Sequence, residues 1–256
     1  MELLKLEHVF LSYHTPGGET PVLNDISFSL EQGTFTAIVG PSGCGKSTIL
    51  NLISGLIRPE SGQIFIEGKS LEESGLNIGY MLQKDHLFEW RTVRSNVLLG
   101  LEIQHKTAPE NLARADRLLE AYGLAPFRNA RPSQLSGGMR QRAALIRTLA
   151  LDPALLLLDE PFSALDYQTR LNVADDIGQI IRREKKTALL VTHDISEAVS
   201  MADQVIILSR RPARIRRSVP IVFSMSDRTP MASREAPEFK QYFNLIWKEL
   251  NSHEGD

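Results

Sequence analysis

The amino-acid sequence predicts an α/β fold: a parallel-sheet core, an antiparallel β subdomain beside it and an inserted α-helical subdomain. Three observations carry this expectation. Short apolar, β-rich runs at 154–158, 187–192 and 204–208 alternate with helical stretches, the mark of a parallel sheet. Runs at 4–13 and 22–30 flank a turn at Thr15, Pro16, Gly17 and Gly18, as in an antiparallel pair. From 84 to 150 strand signals vanish and helical periodicity takes over.

Taken in order, 4–13 and 22–30 read as antiparallel strands. The run 35–39 is a short strand that ends in a glycine loop, and a helix follows from Lys46 to about Gly55. Strands are expected at 61–66 and 77–82, the second ending at Gln83. Pro109 suits the first turn of a helix over 109–122. A further helix opens at Ser136 and runs to about Ala150. Four leucines in line at 155–158 fit a strand buried on both faces. A late strand at 214–222 and a terminal helix at 237–250 complete the pass. The division expected is one domain over 1–256: a core from 1–83 and 151–225, a helical subdomain at 84–150 and a helical tail at 226–256.

Composition narrows the class. The chain has 256 residues, 42% of them hydrophobic and 23% charged, ordinary values for a soluble globular protein with a sizeable core. A net charge of −2 gives no footprint for nucleic acid, so no nucleic-acid partner is expected. The single cysteine, Cys44, permits no intrachain disulfide and fits a reducing compartment. No run approaches the roughly 18 apolar residues of a spanning helix, and residues 1–10 lack the pattern of a secretion signal. If the chain serves transport, it docks on something else that crosses the membrane.

Two motifs carry chemistry. Gly40, Pro41, Ser42, Gly43, Cys44, Gly45, Lys46, Ser47 and Thr48 fit G-x-x-x-x-G-K-[ST], with a β-rich run before and an amphipathic helix after. Glycines let backbone N–H groups turn around phosphate oxygens, and the helix N-terminus adds a favourable dipole. Lys46 is expected to neutralise the β- and γ-phosphates of ATP, and Ser47 to ligate Mg²⁺. Cys44 reads as a small tolerated side chain. At the end of the leucine run, Asp159 is placed to hold Mg²⁺, and Glu160 to reach a water in line with the γ-phosphate as general base.

These two motifs together suit a P-loop NTPase of RecA-like core. Leu135-Ser136-Gly137-Gly138-Met139-Arg140-Gln141 then resembles the LSGGxxQ signature of ABC ATPases, with every fixed position matched. The resemblance spans essentially 4–208. It implies a homodimer in which Ser136, Gly137, Gly138 and Gln141 of one protomer close over the nucleotide held by the other. It implies that Gln83 touches Mg²⁺ and senses the γ-phosphate, and that Asp166, in Ser163-Ala164-Leu165-Asp166, lies in a loop crossing the dimer interface. It places His193 as the histidine that contacts the γ-phosphate and orients the water of Glu160. Tyr13 stands where the family stacks an aromatic on adenine; a packed strand tyrosine is the alternative.

Finer stretches at 90–93, 162–170, 209–215 and 239–250 are similar to ATP subunits of the nitrate, sulfonate and taurine importer group, which also includes bicarbonate importers. That resemblance implies integral membrane permease subunits, an extracytoplasmic solute-binding protein and a peripheral position on the cytoplasmic face of the membrane. Phe88 and Trp90 would suit docking on a permease, or else pack within the helical insertion. An ABC exporter subunit and a non-transport ABC ATPase stay open as alternatives. The run Arg210, Arg211, Arg214, Arg216 and Arg217 reads as a solvated strand face, with attraction to anionic lipid as the alternative. His8, His14, His86, His105 and His253 show no metal-ligand spacing and read as structural or solvated.

Overall fold

The computed structural model describes residues 1–75, 77–225 and 228–251; His253 and the ends of the expected tail lie outside these. The chain starts as a long hairpin of strands β1 (Glu2–Thr15) and β2 (Gly18–Glu31), in which Thr15 faces Gly18 across a two-residue Pro-Gly loop. Strand β4 (Ser61–Ile66) pairs with the other edge of β1, and the short β5 (Lys69–Ser70) pairs with β4, giving a four-stranded antiparallel sheet of order β2-β1-β4-β5.

The second sheet has the order β10-β9-β3-β8-β7-β6. Its members are β3 (Phe35–Val39), β6 (Ile78–Met81), β7 (Leu155–Asp159), β8 (Thr187–Thr192), β9 (Gln204–Leu208) and β10 (Ile215–Pro220). The pairings β6–β7–β8–β3–β9 are parallel; only β10 runs antiparallel, on the edge of β9.

Helices α1 (Lys46–Ile53), α2 (Leu71–Ser74), α3 (Val93–Ile103), α4 (Pro109–Ala121) and α5 (Gly137–Leu149) precede the return to β7. Helices α6 (Tyr167–Arg183), α7 (Ile195–Met201), α8 (Pro230–Glu235) and α9 (Pro237–Asn251) follow it. Side chains supply several helix starts. Thr92, Ser136, Asp166, Asp194 and Thr229 each accept a hydrogen bond from a backbone N–H of the first turn, satisfying donors the helix itself cannot. The expected helix after Lys46 stops at Ile53, two residues early, and α2, α3 and β5 are elements that periodicity did not resolve. Among the described residues no helix is long and apolar enough to cross a membrane.

The central sheet is buried on both faces, and alternation along its strands sorts the core into two. Ala37, Val39, Leu156, Leu158, Ala188 and Leu190 pack with the helices α3 to α7. Ile38, Leu155, Leu157, Leu189 and Val191 face the other way, onto α1 and the antiparallel sheet. Successive strand residues point to opposite faces, so one strand serves both cores. All four leucines of 155–158 are inaccessible to solvent, as expected for a strand covered on each side.

Candidate active site

Register brings the motif residues to one edge. In the parallel pairs, Val39 lies opposite Thr192 and Asp159 opposite Val191. The chain therefore leaves β3 into the glycine loop, β8 into His193 and β7 into Glu160 at one level of the sheet. Met81 lies opposite Leu158, so Gln83 leaves the neighbouring strand β6 beside them. The carboxyl edge of such a sheet, where strand order departs from chain order, is where ligands bind.

The loop from Gly40 to Gly45 folds as its glycines require. Gly43 and Gly45 have φ of 73° and 116°, in the left-handed region. A β-carbon on Gly45 would stand 2.9 Å from Leu23 Cδ2. Cys44 is fully buried beneath the loop, and burial pushes its thiol up from the ordinary value, so it behaves as a packing residue. The Lys46 ammonium turns back over the loop and donates to the carbonyls of Gly40 (3.0 Å) and Pro41 (3.1 Å).

Around this loop lies a cavity of about 250 Å³ lined by Tyr13, Ser42, Gly43, Lys46, Glu160 and Arg211, with Gly45, Ser47, Thr48 and Val22 completing the wall. Ser47 Oγ donates to Asp159 Oδ1 at 2.9 Å. Burial raises the carboxyl of Asp159 above its ordinary value, opposed by the Ser47 bond and reinforced by the charge of Glu160. A hydroxyl oxygen and a carboxylate oxygen in contact are hard donors of the kind Mg²⁺ takes from protein when substrate phosphates and water complete its shell. The residues present therefore fit the ion.

Glu160 has a φ of 43°, unusual for a residue with a side chain. Its backbone N–H extends the ladder to Val191 O at 2.8 Å. Its Oε2 lies 3.0 Å from His193 Nδ1, which fixes the proton of a neutral imidazole on Nδ1 if the carboxylate is ionised. Gln83 does not reach Asp159; its Nε2 donates to Ser163 Oγ at 3.1 Å, and Ser163 Oγ donates to Glu160 O at 3.0 Å. The two loops after β6 and β7 are thus tied together behind the carboxylates. Tyr13 lines the cavity, 43% exposed, with its hydroxyl 3.3 Å from Thr48 Oγ1.

The signature residues stand apart from this cavity. Ser136 caps α5, accepting from Met139 N at 3.3 Å, and Ser136 and Gly137 are exposed. Gln141 is buried, and its Oε1 has no hydrogen-bond partner. Asp166 is exposed and caps α6 through Thr169 N at 3.0 Å; the hydroxyl and amide of Thr169 hold its carboxyl below the usual range. One subunit thus presents two separate anion-facing helix ends.

Two residues of the site were not legible in the sequence. Tyr80, from β6, bridges Asn51 Oδ1 (3.1 Å) and Asp159 Oδ2 (3.5 Å) through its hydroxyl, and burial together with the Asp159 charge raises its pKa. Arg211 lines the phosphate-loop cavity and donates to Pro21 O at 3.0 Å. It belongs to the arginine run read as a solvated face. Elsewhere in that run, Arg216 donates to Glu249 O at 2.6 Å and Arg217 to Glu249 Oε1 at 2.8 Å, fastening β10 to α9. His8 and His14 pair with Asp25 (2.8 Å) and Glu60 (2.6 Å) on the surface.

A surface of a different kind surrounds 85–92. Phe88 and Trp90 stack at 4.6 Å between centroids, and Trp90 is 71% exposed rather than packed within the insertion. The loop beneath them is held from two helices. Asn96 of α3 accepts from Phe88 N (2.7 Å) and donates to Phe88 O and Thr92 O (both 3.0 Å). Arg140 of α5 pairs with Asp85 (3.0 Å), and Arg147 donates to the carbonyls of Asp85 and His86 (both 2.7 Å). The Arg140 bond, among other causes, keeps the Asp85 carboxyl below its ordinary value against the opposing effect of burial.

Comparison with known proteins places this arrangement. A family model described as ABC transporter matches residues 23–163. An uncharacterized ABC transporter ATP-binding protein of Bacillus subtilis, YtlC, is 46% identical over 99% of this chain and 98% of its own length. The nitrate import ATP-binding protein NrtD of Synechocystis is 39% identical over 99% of this chain and 96% of its own. The taurine import ATP-binding protein TauB of Escherichia coli O157:H7 is 40% identical over 87% of this chain and 86% of its own. A dimeric, post-hydrolysis structure of the ATP-binding cassette MJ0796 bound to ADP and phosphate is 30% identical, has a TM-score of 0.72 and covers 86% of this chain and 99% of that one.

Proposed function

The chain belongs to the ABC transporter family as an ATP-hydrolysing, ATP-binding subunit, and from that premise we propose that it drives an importer whose membrane subunits are separate chains. The observation that carries the mechanism is the Glu160–His193 pair at 3.0 Å on the lip of the phosphate-loop cavity, beside the Ser47–Asp159 contact.

In this reading Lys46 exchanges its loop carbonyls for the β- and γ-phosphate oxygens of ATP, with the loop amides around them. Tyr13 stacks on the adenine, and Arg211 stands beside it as a second cation. Ser47 and Asp159 would hold Mg²⁺, with Gln83 joining them on release from Ser163, and the ion would supply charge neutralisation at the phosphates. Glu160 takes the proton of the attacking water. His193, with one nitrogen bound to Glu160, keeps the other for the γ-phosphate; donation from that nitrogen requires the imidazolium form. Ser136, Gly137, Gly138 and Gln141, with Asp166, complete the site of the facing protomer of a homodimer. ATP favours the closed dimer because its γ-phosphate satisfies donors on both subunits.

Import through permease subunits, with an extracytoplasmic solute-binding protein supplying cargo, is supported by the likeness to nitrate, taurine and sulfonate import subunits. The cargo class in this reading is a small solute of the nitrate, sulfonate or taurine kind. The subunit sits peripherally on the cytoplasmic face, with the exposed Phe88–Trp90 stack against the permease. We further take 84–150 as the helical unit that carries this surface, 1–83 and 151–225 as the core, and 226–256 as a tail.

Glu160→Gln tests the mechanism. It keeps shape and a hydrogen bond to His193 but removes the base, so hydrolysis should fall by about 10²–10⁴ while ATP binding persists and closed dimers accumulate. Undiminished turnover would overturn the assignment of Glu160.

A further inference from the structure

A second cavity, of about 580 Å³, opens where the end of α4, the signature helix α5, helix α6 and the segment before α8 meet. Its wall carries four guanidinium groups, from Arg142, Arg182, Arg183 and Arg228, against one lining carboxylate, Asp176. Two of the arginines are committed to the fold. Arg182 donates to Asp203 Oδ1 (3.2 Å) and Met201 O (2.9 Å). Arg228 donates to the same carboxylate (3.0 Å) and to the carbonyls of Val199 (3.2 Å) and Ala202, with its guanidinium over the Phe223 ring.

The other two have donors to spare. Arg142 gives one N–H to Tyr122 O at 3.3 Å, but its Nε is buried with no acceptor in hydrogen-bonding range. Asp176 Oδ2 stands 3.7 Å from that nitrogen, an ion pair without a hydrogen bond. Arg183 is exposed at the rim and makes no hydrogen bond or ion pair among the described residues. A buried guanidinium donor without an acceptor is unfavourable until one is supplied. Asp176 alone faces four guanidinium groups, so the wall keeps an excess of positive charge. Ile180, Ala121 and the Tyr122 ring add an apolar side, and the volume lies within the roughly 300–1,000 Å³ of small-ligand sites.

We propose that this cavity binds a small organic anion through a carboxylate, sulfonate or phosphate head group gripped by Arg142 and Arg183. The planar guanidinium fork matches such oxyanions in two-point hydrogen bonds. The bound anion joins α5 and α6 to the 228–229 segment and so strengthens the attachment of the tail helices. The proposal is independent of what the subunit transports.

The test uses the full chain with saturating Mg-ADP, so that the phosphate loop is filled. Citrate and sulfate are titrated at ionic strength matched with chloride, and thermal unfolding is followed. The expected result is a saturable rise in Tm for the unaltered chain, with the half-saturating concentration raised at least tenfold in Arg183→Glu. Gln179→Glu, a second exposed change on the same rim, should weaken binding in the same direction. Selenate soaked into crystals should give an anomalous peak beside Arg142. A rise that never saturates, an equal half-saturation in both variants, or a selenate peak only elsewhere would overturn the site and leave the ATPase reading intact.

Discussion

Replacing Asn96 by alanine should separate nucleotide hydrolysis from its mechanical use. The side chain is fully buried and makes the bonds that shape the 88–92 loop. Alanine orphans the Phe88 N–H and removes the long 3.4 Å bond to the Arg91 carbonyl, whereas the Phe88 carbonyl keeps the Arg91 N–H at 3.0 Å. The Thr92 carbonyl keeps a partner in the backbone N–H of residue 96 at 2.8 Å. One orphaned donor at about 1–3 kcal/mol sets the loss, and the half-open position of Phe88 admits water to part of it, so roughly 1–2 kcal/mol is expected. Urea unfolding of the isolated subunit should show that decrease at an unchanged m-value. Basal hydrolysis by the isolated subunit should stay within about twofold, because no cavity residue of the nucleotide site contacts Asn96, while stimulation by permease subunits should collapse. Emission from Trp90, read in a Trp247→Phe background, should shift toward that of exposed indole. A stability loss under about 0.5 kcal/mol, with Trp90 unmoved, would refute the reasoning that Asn96 holds the loop.

Other outcomes follow from single contacts. Tyr80→Phe removes the hydroxyl that reaches Asp159 and Asn51; stability should drop by about 1 kcal/mol, and the Mg²⁺ needed for half-maximal hydrolysis should rise severalfold, measured by metal titration. Gly45→Ala forces a β-carbon against Leu23 at a φ of 116°, so nucleotide affinity by fluorescence titration should fall well beyond tenfold. Glu197 is buried, accepts from Thr192 Oγ1 at 2.6 Å, and is pushed up to about 7 by that burial. Its folded value exceeds its unfolded one of 4.5, so the native state holds the extra proton between them. Stability should therefore decline as pH rises from about 4.5 through about 7, and Glu197→Gln should flatten that limb of the Tm profile.

Much of the nucleotide site was legible because a parallel sheet delivers every strand end to one edge. The loop from Gly40 to Thr48 and the Asp159-Glu160 pair are contiguous, so their composition alone carries the chemistry. His193 stands at the end of an apolar run, and the resemblance to ABC ATPases is what singled it out. Tyr80 and Arg211 escaped for opposite reasons. Tyr80 sits mid-strand, where an aromatic ordinarily means packing, and only the β6–β7 register turns its hydroxyl toward Asp159. Arg211 hides among other arginines; what selects it is the parallel bridge between Leu23 and Ala213, which lays its loop along the hairpin. Helix α3 was obscured by Gly100 in its interior. That glycine is there because a β-carbon would meet Leu151 at 2.8 Å, a tertiary reason invisible to local propensity.

The backbone of Glu160 has a wider implication. Its φ of 43° belongs to conformations that glycine and asparagine adopt with little penalty and glutamate does not, at a cost of about 1–3 kcal/mol. A change to glycine there would relieve that strain and remove the carboxylate proposed as general base in the same stroke. Laboratory evolution of this protein for heat resistance alone would thus be drawn toward an inert variant that melts later than its parent. A library screened for stability needs a simultaneous selection for hydrolysis, or position 160 held fixed, to keep a working motor.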